Sequence, residues 1–252
     1  MSVAVEARHG VLVITIDRPQ ARNALDAAVA RDVAAAMDAL DASDDLRAAV
    51  LTGAGGFFSA GMDLKAFLRG ETPAIEGRGL CGITRTPPRK PLIAAVEGGA
   101  LAGGFELVLA CDLVVAGRGA RFGVPEVKRS LVAAGGAALL LPQRVPRAVA
   151  LELLLTGEPI DAARAAAVGL VNRVVDDGTA LDAAVELADV IAANGPLAVA
   201  ATKQVVQSVP SWTPEEMWDR QDEAVRPVFA SEDAREGSTA FAERRPPVWR
   251  GR

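Results

Sequence analysis

The chain is short of the residues most often used for acid–base and metal chemistry. It contains no tyrosine, one histidine (His9) and two cysteines, Cys81 and Cys111. A single histidine excludes any site built on a histidine pair, including the helix-borne zinc pair of metalloproteases. Two cysteines cannot form a four-thiolate metal site or a disulfide framework, and they read as small packing groups. Without a phenol, the catalytic repertoire contracts to Asp, Glu, Lys, one His and two Cys. No uncharged apolar run reaches the roughly 20 residues of a membrane helix. No signal-peptide pattern follows Met1-Ser2-Val3, so the expected address is the cytoplasm, without a membrane partner.

Small and apolar residues are abundant instead. Half of the 252 residues are hydrophobic, 50 are alanine, and 23% are charged, a composition that folds rather than stays disordered. The net charge is −5 and the Lys and Arg residues are dispersed, which argues against nucleic acid as a partner.

Hydrophobic spacing divides the chain. Alternation in the first sixteen residues predicts two strands around Gly10, and Pro19 ends that run. Asn23 or Asp26 can cap a helix over 27–40, where Val29, Val33, Met37 and Leu40 recur at helical spacing. Short buried strands are predicted at 49–52, 91–96 and 112–116, with a helix at 105–110 and a short helix opening at Asp63. Strand, glycine turn, helix and strand in series imply a parallel sheet with right-handed crossovers. Residues 70–90, rich in Gly, Pro and Arg, are expected to form a mobile surface loop. Beyond Pro142 helices dominate, at 147–155, 161–168, 181–193, 196–208, 214–230 and 233–244, interrupted by a strand at 170–175. The expected organisation is an α/β core over 1–190 and a helical layer over 191–252, too small to bury a core of its own.

Two places break ordinary propensity. Phe58-Ser59-Ala60-Gly61-Met62-Asp63-Leu64 and Gly98-Gly99-Ala100-Leu101-Ala102-Gly103-Gly104 each lie between a strand and a helix. Small residues allow backbone to approach a ligand, and a helix N-terminus leaves N–H groups aimed outward. Two such turns side by side either are plain connections or point one N–H each at a single oxygen, as an oxyanion hole does. Neither spells G-x-G-x-x-G, no P-loop occurs, and Ser59 in F-F-S-A-G lacks the G-x-S-x-G setting of a serine hydrolase. Glu106, in the apolar run G-G-F-E-L-V-L-A-C, and Glu126, after Pro125, are the anomalous charges. Each alone reads equally as a first-turn acid favoured by the helix dipole.

The segments I-T-I-D-R-P-Q-A-R-N-A-L (14–25), V-L-T-G-A-G-G-F-F-S-A-G-M-D-L-K (50–65), A-L-A-G-G-F-E-L-V-L-A-C-D (100–112), F-G-V-P-E (122–126) and G-L-V-N-R-V-V (169–175) together resemble the crotonase superfamily, most closely enoyl-CoA hydratase. The C-terminal F-A-E-R-R-P-P-V-W (241–249) matches as well. The resemblance implies a crotonase-like spiral of ββα units, a helical C-terminal trimerisation region, and a homo-oligomer that is a trimer or a dimer of trimers. It implies an acyl-CoA thioester substrate whose carbonyl oxygen meets the N–H groups of Met62 and Gly103, with Glu106 and Glu126 as the catalytic pair. Coenzyme A would be contacted by Arg22, Ala24, Ala60, Met62, Asp63, Leu64 and Lys65, mostly through backbone. Arg244 or Arg245 is the candidate for reaching a neighbouring subunit's CoA. No metal or redox cofactor is implied, CoA being part of the substrate.

The alternatives are an enoyl-CoA isomerase or another enolate-forming relative, and a non-catalytic CoA- or RNA-binding one. The lysine-rich first helix that RNA binding uses in relatives is missing, since 26–40 carries Asp26, Asp32 and Asp38 against Arg31. One departure concerns the P-G-x-G-G found in many hydratases, where this chain has Leu131-Val132-Ala133-Ala134-Gly135-Gly136.

Overall fold

The structure is a computed structural model that describes residues 2–252. Strands β1 (Val3–Arg8) and β2 (Val11–Ile16) form an antiparallel hairpin, followed by α1 (Ala27–Ala42) and β3 (Ala48–Gly53). Next come α2 (Leu64–Leu68), the two-residue strands β4 (Ala74–Ile75) and β5 (Gly79–Leu80), β6 (Leu92–Val96), β7 (Gly99–Leu101) and α3 (Gly103–Ala110). Then follow β8 (Leu113–Gly117), β9 (Arg121–Gly123), α4 (Ala137–Arg144), α5 (Arg147–Thr156), β10 (Ile160–Asp161), α6 (Ala162–Ala167) and β11 (Arg173–Val175). Helices α7 (Ala180–Ala192), α8 (Pro196–Ser208), α9 (Met217–Phe229) and α10 (Glu232–Glu243) complete the chain.

The main sheet has the order β1-β2-β3-β6-β8-β11 and is parallel from β2 onward. A smaller sheet, β10-β9-β7, is extended by an isolated parallel bridge between Ser59 and Ala100. The chain therefore alternates between the sheets, sending β3, β6 and β8 into the large one and Ser59, β7 and β9 into the small one before each following helix or turn. That alternation is the expected ββα spiral, and it stacks the strand-to-helix turns of successive repeats on one another.

Both faces of the main sheet are covered, which explains why its strands read as continuous apolar runs. Ala49 and Leu51, Leu92 and Ala94, and Val114 and Ala116 point into the larger core with Phe58, Phe105 and Phe122. Their alternates Ala48, Val50, Ile93, Ala95 and Val115 point the other way, onto Ala180, Ala184 and Ala188 of α7. Alanine at every fourth position gives that helix a flat face that sits close against the sheet.

Four expectations need correction. Residues 70–90 are a β4–β5 hairpin and connection that bury Leu80, Cys81, Ile83 and Pro88, not a mobile surface loop. Two-residue strands are too short to show a period, which is why the pattern was invisible. The turn at 98–104 holds a strand, and α3 opens at Gly103, two residues before the expected start at 105. Helix α4 was not foreseen, because Pro142 lies in its last turn and masks the spacing. The strand expected at 170–175 covers only Arg173–Val175, with Leu170 and Val171 buried just before it. Of the two cap candidates, Asp26 caps α1 by accepting from the Val29 N–H at 2.9 Å.

Among the described residues no single helix is long and apolar enough to cross a membrane. Helix α8 is tied to the core by Lys203, whose ammonium meets the Asp112 carboxylate at 2.6 Å and the Lys90 carbonyl at 2.9 Å. Helix α9 has no buried residue and exposes Trp218 and Phe229, and α10 exposes Phe241.

The close approach of α7 to the sheet carries a prediction. Ala184→Leu should lower unfolding stability by about 1–3 kcal/mol through overpacking, measured by urea or thermal unfolding.

Candidate active site

Four successive turns are stitched together by main-chain bonds. The Leu25 N–H donates to the Gly61 carbonyl at 2.8 Å and the Asp63 N–H to the Leu25 carbonyl at 2.8 Å, forming a parallel bridge between Leu25 and Met62. The Ser59 N–H donates to Gly99 at 3.0 Å and the Leu101 N–H to Ser59 at 2.9 Å. The Ala102 N–H reaches the Gly123 carbonyl at 2.9 Å, which brings in the turn before Glu126. Segments far apart in the chain thus deliver Met62, Gly103, Glu106 and Glu126 to one region.

Side chains reinforce the stack. Asn23 is fully buried with φ 53°, and its amide donates to the carbonyls of Ala54 (2.9 Å) and Phe57 (2.5 Å) while its Oδ1 accepts from the Arg18 N–H (2.9 Å). It is a loop clip and not a helix cap. The Ser59 hydroxyl donates to the Asn23 carbonyl at 2.8 Å and accepts from the Gly61 N–H at 3.1 Å, so it is occupied structurally. Gly61 has φ 90°, and a Cβ there would come within 2.8 Å of the Gly103 nitrogen. Only glycine permits this contact between the two turns. Among the described residues, neither the Met62 N–H nor the Gly103 N–H has a hydrogen-bond acceptor. Gly103 is the first residue of α3, whose opening bonds run from Phe105 and Glu106 to the Ala102 carbonyl.

Glu106 lies in the first turn of α3 and is 4% exposed. Its Oε1 accepts from the Ala137 N–H at 3.0 Å, and the N–H groups of Gly135 and Gly136 also favour its charged form. These amides open α4, so a helix N-terminus faces the carboxylate. Burial nevertheless outweighs them and raises the Glu106 pKa. Glu126 sits in a 3-10 turn over Pro125–Arg129. Burial raises its pKa as well, and the nearby Glu106 charge adds to the rise. Among the described residues, its Oε2 is buried without a hydrogen-bond partner. The two carboxyls therefore differ in kind: one is held by amides, the other is unsatisfied.

The coenzyme A candidates lie along the same edge. The Ala60 N–H donates to the Arg22 carbonyl at 2.9 Å, which fixes the strap carrying Arg22 and Ala24 beside the Met62 turn. The Arg22 guanidinium lies 5.9 Å from the Phe57 ring centroid. Leu64 and Lys65 are exposed at the start of α2. The Asp63 side chain is committed to the fold: it accepts from the Lys65 and Ala66 N–H groups and pairs with Arg18 at 2.9 Å, which lowers its pKa. Arg245 is held by Glu236 (2.6 and 2.9 Å) and Glu243 (2.7 Å), whereas Arg244, at the end of α10, has no ion-pair partner among the described residues. The thiols of Cys81 and Cys111 are buried and pushed up to about 12, consistent with packing groups. No group of three or more His, Cys, Asp or Glu side chains among the described residues is arranged to hold a metal ion.

Three contributors are not among the residues the sequence singled out for the site. Leu80, from the β4–β5 hairpin, reaches both Gly103 and Gly135, and its Cδ2 lies 3.3 and 3.1 Å from where a Cβ would stand on each. Gly135 leaves room for Glu106, because a Cβ there would overlap Oε2. Ala137 supplies the amide on Oε1. Each acts through backbone or apolar bulk, which no chemical motif records. The doublet Gly135-Gly136 was the one available hint.

Comparison with known proteins places the chain. The family model described as enoyl-CoA hydratase/isomerase matches residues 6–252. An enoyl-CoA hydratase of Mycobacterium tuberculosis is 44% identical over 255 residues, covering 98% of this chain and 96% of that protein. A carnitinyl-CoA dehydratase of Proteus mirabilis is 41% identical over 259 residues, covering 100% and 99%. A crystal structure of an enoyl-CoA hydratase from Mycobacterium tuberculosis superposes with a TM-score of 0.98 at 58% identity, covering 100% and 99% of the two chains. Its sequence, end to end, and its fold make this chain a member of the enoyl-CoA hydratase/isomerase family, the crotonases.

Proposed function

We propose that the chain adds water across the 2,3 double bond of an enoyl-CoA thioester to give the 3-hydroxyacyl-CoA. The same groups, by microscopic reversibility, run the dehydration. The observation that carries this reading is the pair of unlike carboxyls, buried Glu106 and half-buried Glu126, beside two turns whose Met62 and Gly103 N–H groups have no acceptor among the described residues. The thioester carbonyl would accept from both N–H groups, which makes Cβ electrophilic and stabilises the enolate charge that develops on oxygen. Glu106, fixed by the amides of α4, orients the water. Glu126, with its free Oε2, takes the water proton as hydroxide bonds to Cβ. The pair returns one proton to Cα, so water is added and both carboxyls are regenerated.

An isomerase needs one carboxyl to move a proton between carbons, and the second one here supports hydration over that alternative. Coenzyme A would run along the strap of Arg22 and Ala24 and the turn of Ala60, Met62, Asp63, Leu64 and Lys65, meeting mainly backbone. The reaction so written uses no metal or redox cofactor. The exposed apolar residues of α9 and α10 suit contact with further copies of the chain, which supports assembly as a homo-oligomer through 191–252. Hydration is tested with crotonyl-CoA and longer enoyl-CoA thioesters, by following loss of the conjugated double bond. Turnover of none of them overturns the reading.

Two variants probe the carboxyls. Glu126→Gln should lower the hydration rate by about 10²–10⁴-fold, and should abolish the acidic limb of the pH–rate profile, whose midpoint lies above the ordinary 4.5. The same raised pKa has a consequence for stability. Folding favours the neutral carboxyl, so ionisation costs the wild type stability as pH rises through the folded-state pKa. Thermal unfolding should therefore show Glu126→Gln matching the wild type below the ordinary 4.5, gaining on it as pH rises from there to the folded-state pKa, and keeping a constant lead above it. Gly135→Ala, which forces a Cβ onto Glu106 Oε2, should lower kcat by about tenfold or more while KM changes little, as read by steady-state kinetics.

A further inference from the structure

Arg18 lies outside every group assigned to the chemistry, yet it touches both turns that flank the Leu25–Met62 bridge. In that parallel bridge the residues that follow each partner are Asp26 and Asp63, so the register brings two carboxylates to the same place. Like charges opposite one another across paired backbone repel. Arg18 stands between them. One terminal nitrogen is 3.0 Å from the Asp26 carboxylate, and the other donates to Asp63 at 2.9 Å. The first nitrogen also donates to the Ala24 carbonyl at 2.5 Å. All three side chains are largely withdrawn from solvent, with exposures of 19%, 17% and 14% for Arg18, Asp26 and Asp63. Asp26 also caps α1 and Asp63 caps α2, so both carboxylates are fixed in place and cannot swing apart. The other nearby cations, Arg22 and Lys65, have exposed side chains and make no ion pair with either aspartate.

We propose that Arg18 is a positioning residue for thioester polarisation: by neutralising Asp26 and Asp63 it keeps the strap and the Met62 turn in register and so aims the Met62 N–H. The proposal rests on the assignment of that N–H to the thioester carbonyl. The guanidinium reaches three acceptors from its two terminal nitrogens, a fixed fork that an ammonium cannot match.

The test combines kinetics on crotonyl-CoA with isotope-edited infrared spectra of bound [1-13C]butanoyl-CoA, a saturated thioester that does not react. In the wild type the carbonyl band should move to lower frequency on binding. In Arg18→Met that shift should fall by about half or more, with kcat down about tenfold and KM within about threefold. Arg18→Lys, which keeps the charge and covers the case in which the methionine variant does not fold, should be intermediate. Adding Asp26→Asn to Arg18→Met removes the repulsion while retaining a good helix cap, and should restore part of both band shift and kcat. Wild-type shift and kcat in Arg18→Met overturn the proposal. So does a rise in KM with the band unchanged, or no recovery on adding Asp26→Asn. A wild type without any band shift overturns the Met62 assignment and this proposal with it. A wild type that shifts the band yet hydrates no enoyl-CoA overturns the hydratase reading alone, and the variants are then decided on the band.

Discussion

Main-chain hydrogen bonding between successive strand-to-helix turns is the constraint on which the candidate site depends. The bonds from Leu25 to Gly61, Ser59 to Gly99 and Ala102 to Gly123 join segments far apart in the chain. Each bond belongs to a parallel register, and a slip of one residue would turn every side chain in that segment to the opposite face. The register also dictates where small residues are needed. Gly61 and Gly103 touch because the turns are stacked, and the turns can stack because no Cβ intervenes.

The carboxyls show how a stable core tolerates a costly site. Glu106 is buried among apolar residues, a position that would be prohibitive without the amides of Gly135, Gly136 and Ala137. Those amides come from an element far along the chain from the Met62 turn and fix the carboxylate in one orientation. Glu126 has no equivalent support, and its Oε2 is buried without a hydrogen-bond partner among the described residues. An oxygen so placed is costly to bury without a donor, and water or substrate would supply one.

The periphery follows a different rule. Helix α7 is part of the core because its alanine face covers one side of the main sheet, and Lys203 secures α8 through an almost buried ion pair. Beyond α8 the helices bury little, and polar contacts such as Asp233 with the Arg250 and Gly251 N–H groups (2.7 and 2.9 Å) hold the C-terminus in place. Stability is concentrated in the spiral, and the apolar surface left over lies on α9 and α10.

Local sequence was enough to read the class of fold and to single out the two glutamates and the two glycine-rich turns. These are local properties: apolar runs of strand length, glycine where a Cβ would clash, and a carboxylate where burial disfavours one. Scarcity of His, Cys and Tyr narrowed the side chains available for acid–base chemistry further. Only the tertiary structure decided what supports those groups. Leu80 in a hairpin without period, Gly135 against Glu106, Asn23 as a clip and Arg18 between two aspartates all act across separations that no spacing encodes. Their roles depend on which backbone atoms the parallel register brings within hydrogen-bond distance, and that is settled when the turns of the spiral stack.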